Sequence, residues 1–184
     1  MKIFSTKHLP ILFNIIGFQL VWFLCVYGAS RQTIVPGLIA ALVFALVVCY
    51  LSTDRTRDVT TLLLALPMGF IMDSVLAKSG LITFTHAIPS ENWAPIWIMC
   101  LWLGFSFTLN HSLKSLYAKP IAIFLFGFLG APLAYSIAAY KFGAMAFTGN
   151  LLPALLAIAC VWGFGLVALQ YLNARLSPNK EIIL

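Results

Sequence analysis

Charged residues are scarce in this sequence. They make up 9% of its 184 residues, and only 5 residues are Asp or Glu. Soluble domains are about 25% charged and about 45–50% apolar, whereas this chain is 62% hydrophobic with a mean hydropathy of +1.00. A soluble fold of this length could not bury so much apolar surface. The shortage of charge therefore excludes a soluble domain and predicts a single integral membrane domain.

The motifs of common hydrolases and metalloenzymes are missing too. The sequence has no HExxH, no GxSxG and no phosphate-binding glycine loop. The four cysteines lie inside apolar runs without CxxC or Cys/His spacing, so we expect neither disulfides nor metal thiolates. We therefore predict no catalytic residues, no metal site and no cofactor. An enzyme that modifies membrane lipids is the least favoured function.

Six apolar runs are present, and each reaches or approaches the length that crosses a bilayer as a helix. They cover about residues 9–28, 34–51, 60–77, 95–110, 120–139 and 151–172. A membrane-spanning helix needs about 20 residues and satisfies its backbone groups within its own segment. The sequence therefore predicts an all-α, polytopic bundle of six transmembrane helices.

Basic residues are distributed unevenly between the predicted connections. Eight lie on one side of the predicted bundle and three, Arg31, Lys78 and Lys141, on the other. The eight are Lys2, Lys7, Arg55, Arg57, Lys114, Lys119, Arg175 and Lys180. The positive-inside rule then predicts that both termini are cytoplasmic. Because these residues flank apolar runs, their charge indicates membrane topology and anionic lipid, not nucleic acid.

Two connections carry further predictions. The run TDRTRD at 53–58 holds four charged residues, so we expect a loop in water. The longest connection, 79–94, is partly apolar and is expected to lie along the membrane interface or to dip back into it. Trp93 and Trp97 flank Pro95 there, and this predicts an aromatic belt at the outer boundary.

One acidic residue, Asp73, lies inside an apolar run, in the segment GFIMDSVLAKSG at 69–80. A carboxylate near a membrane helix centre costs about 3 kcal/mol. Gly69 and Ala77, four positions to either side, favour close approach of another helix on the same face, so we expect Asp73 to face protein. It either accepts hydrogen bonds that fix the packing or lines a polar cavity that binds a cation, a proton or a substrate group. Both alternatives stay open from the sequence.

Other polar residues within the helices accompany Asp73. Helix 1 carries an arc of polar and aromatic side chains, Asn14, Gln19 and Trp22, and helix 4 carries a stripe spaced by four residues, Trp102, Ser106 and Asn110. Tyr135 follows Pro132 by one turn at a depth comparable to Asp73, and we expect a Tyr135–Asp73 hydrogen bond if their helices are neighbours. His111 is expected on another side of helix 4 from Asn110, solvated at the interface. The candidate ligand-binding residues are Asp73, Asn14, Gln19, Trp22, Trp102, Ser106, Asn110, His111 and Tyr135.

Four segments, FNIIGFQLVW, GFIMDSVLAKSGLITF, APIWIMCLWLGFSFTLNHSLKSL and GAPLAY, together resemble a bacterial inner-membrane family classed as a domain of unknown function. The resemblance runs from about residue 14 to 143, and its most specific part is LWLGFSFTLNHSL at 101–113. Ala131 departs from the family, which more often has glycine there. The resemblance implies a small multi-span protein of the bacterial inner membrane with no assigned reaction, cofactor or substrate.

Two functions stand ahead of the lipid-modifying enzyme. The first is a non-enzymatic protein that binds or moves a lipid-like or small amphiphilic molecule in a polar pocket around Asp73. The alternative is a membrane assembly factor or subunit that acts through a membrane protein partner. The sequence leaves the oligomeric state open.

Overall fold

The computed structural model describes residues 9–176, and it is almost entirely helical. Its helices are α1 (Leu9–Ser30), α2 (Val35–Leu51), α3 (Arg55–Lys78), α4 (Ile96–Leu109), the short α5 (Lys114–Tyr117), α6 (Pro120–Ile137) and α7 (Leu151–Leu176). A π-helical turn, Ala138–Phe142, continues α6. Two three-residue strands, β1 (Ile82–Phe84) and β2 (Met145–Phe147), complete the elements.

Four of these helices are long and apolar enough to cross a membrane: α1, α3, α6 with its π-helical turn, and α7. The apolar helices α2 and α4 are shorter, with 17 and 14 residues. At ~1.5 Å per residue they extend about 26 and 21 Å, less than the ~30 Å of a hydrocarbon core. The four long apolar helices identify the chain as a membrane protein, as its composition indicates.

The connections gather at two opposite ends of the bundle. At one end, β1 and β2 pair antiparallel and place Ile82 opposite Phe147. This pairing joins the α3–α4 connection to the α6–α7 connection. The α1–α2 connection lies there too, because His86 Nδ1 donates to Gln32 Oε1 at 3.0 Å. We call this the strand end.

Helix packing leaves one side of the bundle open. Helix α6 packs along α7, α7 packs on α3, α3 on α4, and α1 on α2 and α4. Within residues 9–176, no comparable packing joins α1 directly to α6. The π-helical turn reaches across, where Phe142 meets Trp22 edge-to-face at 5.9 Å between ring centroids. The side between α1 and α6 is therefore the least closed.

The expected loop at 53–58 is wrong from Arg55 onwards. The Asp54 carboxylate accepts a hydrogen bond from the Arg57 backbone N–H at 3.1 Å, so it caps α3. A cap at this position starts the helix at Arg55, five residues before the predicted start at 60. The added turn rotates Asp58 into the bundle, where it is 2% exposed.

The expected aromatic belt is wrong for one of its two tryptophans. Trp97 is 2% exposed, and its Nε1 donates to the Thr85 carbonyl at 3.0 Å. Trp93 is exposed and stacks on Phe70 at 5.5 Å. The strand in segment 79–94 was not foreseen, and its placement at the membrane interface stays a prediction. Three of the basic residues counted for topology, Lys2, Lys7 and Lys180, lie outside the described residues.

Candidate functional site

Asp73 is the centre of a buried hydrogen-bonded group that four helices share. Its Oδ2 accepts from Trp102 Nε1 at 2.6 Å, and its Oδ1 accepts from the Tyr135 hydroxyl. That hydroxyl in turn accepts from Trp162 Nε1 at 3.3 Å. We call these four residues, from α3, α4, α6 and α7, the Asp73 group. The predictions that Asp73 faces protein and bonds to Tyr135 are confirmed.

A glycine allows the Asp73 group to assemble. A Cβ atom at Gly69 would lie 2.2 Å from the Trp102 ring, so the indole rests directly on the α3 backbone one turn before Asp73. Trp102 also stacks on Trp162, with 4.6 Å between centroids and 19° between planes. The indole is therefore held between α3 and α7 with its N–H directed at the carboxylate. The expected close helix approach at Gly69 is confirmed.

Asp73 has no basic partner within residues 9–176. Among the described residues, the one ion pair joins His111 to Asp58, and Asp73 has only the indole and phenol donors. Taking a carboxylate out of water without a counter-charge is costly. The Asp73 group therefore holds an uncompensated acidic residue in an apolar environment, which is a common property of functional sites in membrane helices.

A cavity of about 350 Å³ borders the Asp73 group. It lies in the half of the bundle nearer the strand end, because Phe84 of β1 and Met145 of β2 contribute to its wall. Its wall is mainly aromatic and aliphatic, and Asp73 and Gln19 are its polar members besides the tyrosine and tryptophan N–H and O–H groups. Further lining residues include Phe18, Trp22, Trp97, Trp102, Phe105, Phe126, Tyr135 and Trp162.

The cavity reaches the surface between α1 and α6. Gln19 on α1 is exposed, and Leu133 on α6 is 63% exposed, yet both line the cavity. Within residues 9–176, these two helices have no extensive direct packing against each other. Ligand cavities in proteins measure about 300–1,000 Å³, so this one can hold a small amphiphile or the head and first carbons of a longer chain.

A second buried polar group lies at the end of the bundle opposite the strands. Asp58 Oδ2 is 2.9 Å from His111 Nε2, and Asp58 Oδ1 accepts from Asn110 Nδ2 at 3.0 Å. Thr61 Oγ1 accepts from Asn110 and from Asn173, each at 2.8 Å. We call these five residues the Asp58 cluster. It joins the start of α3 to the ends of α4 and α7.

The Asp58 cluster corrects the prediction for His111 and Asn110. The two side chains meet the same carboxylate instead of lying on different sides, and His111 is 27% exposed instead of simply solvated. The chain turns at Asn110, after α4 ends at Leu109, so helical spacing no longer governs residue 111. Asp58, Thr61 and Asn173 were missed. The signal for Thr61 is a polar side chain in an apolar run, Asn173 directly follows the predicted run 151–172, and Asp58 belongs to the predicted loop.

Several buried polar atoms in this region have no hydrogen-bond partner within residues 9–176: Arg57 Nε, Asn110 Oδ1, Tyr117 Oη and Asn173 Oδ1. Burial raises the pKa of the Tyr117 phenol to about 12. The phenol is therefore neutral at physiological pH.

The other predicted residues are divided between the two ends. Asn14 lies beside the Asp58 cluster, where its Nδ2 donates to the Phe107 carbonyl at 3.1 Å and its Oδ1 accepts from the Ser112 hydroxyl at 2.5 Å. Gln19 and Trp22 instead line the cavity. Ser106 donates to the Leu103 carbonyl at 2.8 Å and does not line it. The predicted arc on helix 1 and the predicted stripe on helix 4 therefore each have residues at the cavity and residues at the Asp58 cluster end.

The Asp58 cluster gives a stability prediction. Replacing Asp58 with Asn should lower the free energy of unfolding by roughly 1–3 kcal/mol, because the new NH₂ group meets either the His111 N–H or the Asn110 NH₂. The measurement is the thermal unfolding midpoint in detergent. Asp54→Asn is the matched control, since asparagine caps a helix as well as aspartate. Equal midpoints for the two variants would contradict the assignment.

Comparison with known proteins gives one match. A family model described as Protein of unknown function (DUF2878) matches residues 11–168. This range contains the Asp73 group, the whole cavity wall and the Asp58 cluster except Asn173. No curated protein and no solved structure matches the chain.

Proposed function

Because the chain belongs to the DUF2878 family, whose function is unknown, we propose a function from the geometry of its site. We propose that the protein binds a lipid-like or small amphiphilic molecule in the cavity beside Asp73. The observation that carries the proposal is an aromatic and aliphatic cavity of about 350 Å³ with one carboxylate in its wall. An apolar wall with few polar groups is the usual composition of a ligand site.

The opening supports a ligand from the membrane. The mouth lies between α1 and α6, and both are long and apolar enough to span a bilayer. Their outward side chains, such as Leu20 and Leu133, are exposed, as expected for residues that face acyl chains. A molecule dissolved in the bilayer therefore reaches the cavity laterally, with its polar head near Asp73 and its apolar part towards the gap.

The same proposal includes a topology. All six apolar helices cross the bacterial cytoplasmic membrane, both termini lie in the cytoplasm, and the strand end faces outward. The alternation of connections between two ends supports an even number of crossings. Five described basic residues lie near the Asp58 cluster end, Arg55, Arg57, Lys114, Lys119 and Arg175, against Arg31, Lys78 and Lys141 near the strand end. The excess supports a cytoplasmic Asp58 cluster.

The cavity can be closed by a substitution that the fold should accept. A Cβ atom at Gly130 would meet nothing within 4 Å, and Gly130 lines the cavity. We expect Gly130→Phe to occupy the cavity while the protein keeps its yield and its elution profile in size-exclusion chromatography. Gly130→Ala, which adds only a methyl group, is the matched control.

The test is extraction of the three proteins in native lipid, followed by mass spectrometry of the small molecules that co-purify. We expect one class of amphiphile to be enriched with the wild type and Gly130→Ala, and to fall at least severalfold with Gly130→Phe. Equal amounts with all three proteins would overturn the proposal. A stoichiometric protein partner without an enriched small molecule would favour the alternative, an assembly factor or subunit.

A further inference from the structure

The cavity concentrates aromatic side chains around one acidic residue. The chain has 5 tryptophans, and Trp22, Trp97, Trp102 and Trp162 all line this cavity. Only Trp93 does not, and it lies outside, with Lys78 Nζ 3.3 Å from the centroid of its ring. Tyr135 and several phenylalanines complete the wall. Aromatic rings attract cations through their quadrupole, and aromatic cages are the usual receptors of alkylated ammonium groups.

The charge of the wall also has one sign. Asp73 lines the cavity, and no basic residue within residues 9–176 does. The basic residues near the strand end, Arg31, Lys78 and Lys141, are exposed and lie outside the wall. A buried carboxylate acts at longer range than a solvated one because the surroundings screen it weakly. The cavity therefore favours a positive guest over a neutral one and disfavours an anion.

The hydrogen bonds of the Asp73 group point to the same kind of guest. The Tyr135 hydroxyl and the Trp102 N–H already donate to the carboxylate, and the Trp162 N–H donates to the hydroxyl. The donors of the group are therefore occupied, and Asp73 is 0% exposed, so the carboxylate lies behind the Trp102 and Tyr135 rings. A guest with a positive charge complements this arrangement, because the charge of the carboxylate acts across the rings without a direct contact.

We propose that the ligand is an alkylammonium amphiphile, with its cationic head among the aromatic residues beside Asp73 and its chain in the gap between α1 and α6. This inference rests on the proposed function, and it adds the charge and the head-group chemistry of the ligand. In this arrangement the head group enters past the exposed Gln19 at the mouth. The chain stays beside the aliphatic Leu133 across the gap.

The test uses tryptophan fluorescence, with Trp93→Phe as the background so that every remaining tryptophan lines the cavity. The protein is placed in nanodiscs of digalactosyldiacylglycerol, a neutral lipid without an ammonium group, and titrated with a bromoalkyl amine, alcohol and carboxylic acid of equal chain length. Bromine quenches nearby indole fluorescence. We expect the amine to reach half-maximal quenching at about tenfold lower concentration than the alcohol, with the acid weakest.

Two variants separate binding in the cavity from partition into the bilayer. In the same background, Asp73→Asn should bring the amine and the alcohol to nearly equal half-maximal concentrations, whereas Gly130→Phe should weaken quenching by both. If Asp73→Asn does not fold, the comparison of amine with alcohol and the Gly130→Phe variant still decide the matter.

The outcomes distinguish this inference from the function beneath it. Equal quenching by amine and alcohol in the unmodified cavity would overturn the ammonium head group and leave an amphiphile site in place. An amine preference that survives Asp73→Asn would also overturn it, since the carboxylate would then not be its source. Quenching by none of the three probes, or quenching that Gly130→Phe leaves unchanged, would overturn the proposed function as well.

Discussion

Replacing Gly69 with alanine is expected to lower the free energy of unfolding by about 3 kcal/mol or more. The added Cβ would lie 2.2 to 2.4 Å from three atoms of the Trp102 ring, far inside van der Waals contact. The indole cannot easily retreat, because it stacks on Trp162 and its N–H is bonded to Asp73. Either the α3–α4 distance increases or the hydrogen bond breaks.

The measurement is the thermal unfolding midpoint in detergent, together with the wavelength of tryptophan emission. Gly130→Ala is the matched control, because a Cβ there meets nothing within 4 Å. Both changes gain about 1 kcal/mol of helix propensity, so the control should be neutral or stabilising and the difference between the variants isolates the clash. A Gly69→Ala protein as stable as Gly130→Ala would show that α3 and α4 are not in contact here.

Replacing Asp73 with leucine is expected to lower the free energy of unfolding by roughly 3 kcal/mol, because two buried donors lose their acceptor at ~1–3 kcal/mol each. Trp102 Nε1 and the Tyr135 hydroxyl would both be left unpaired in an apolar region. Asp73→Asn should lose less, since it keeps one carbonyl oxygen. Adding Tyr135→Phe to Asp73→Leu should recover little of the loss, because removing the hydroxyl takes away one unpaired donor but leaves the Trp162 N–H without its acceptor.

Glu91→Gln is the control for net charge, because Glu91 is an exposed residue of the α3–α4 connection. It should leave the unfolding midpoint unchanged in the same detergent.

A gain of stability in Asp73→Leu, the opposite of the expected loss, is also informative. A leucine variant more stable than the wild type would contradict a packing role, and would mean that the carboxylate costs stability and is retained for its ligand.

The membrane character and the positions of the helices follow from composition and local pattern. The apolar excess is a sum over single residues, and each membrane helix satisfies its backbone hydrogen bonds within its own segment. The membrane character and the helix positions can therefore both be predicted from the local sequence. The prediction was therefore close for α2 and α7 and wrong for the start of α3. There one capping contact, Asp54 to the Arg57 N–H, outweighed the polar composition of TDRTRD.

Contacts between residues on helices far apart in the sequence could be predicted only in part. The Tyr135–Asp73 bond was predicted from similar depth, and its partners are 62 positions apart. Depth alone gives no such signal for Asp58 and His111, which are 53 positions apart, because the sequence predicts both of them in water. Trp102 was singled out as a ring on the helix 4 stripe, while its bond to Asp73 depends on how α4 rests on Gly69.

The amino-acid order alone established that this chain belongs in a bilayer, where its helices lie along the chain, and that Asp73 requires protein around it. These properties depend on each residue and its near neighbours, which partition into water or lipid independently of the rest. The tertiary packing decided which helices adjoin, and through that it placed the donors on Asp73, buried Asp58, and left the gap between α1 and α6. Those outcomes arise from side-chain fit between segments far apart in the chain, such as the Gly69 backbone against the Trp102 indole, and hydropathy carries no information about that fit.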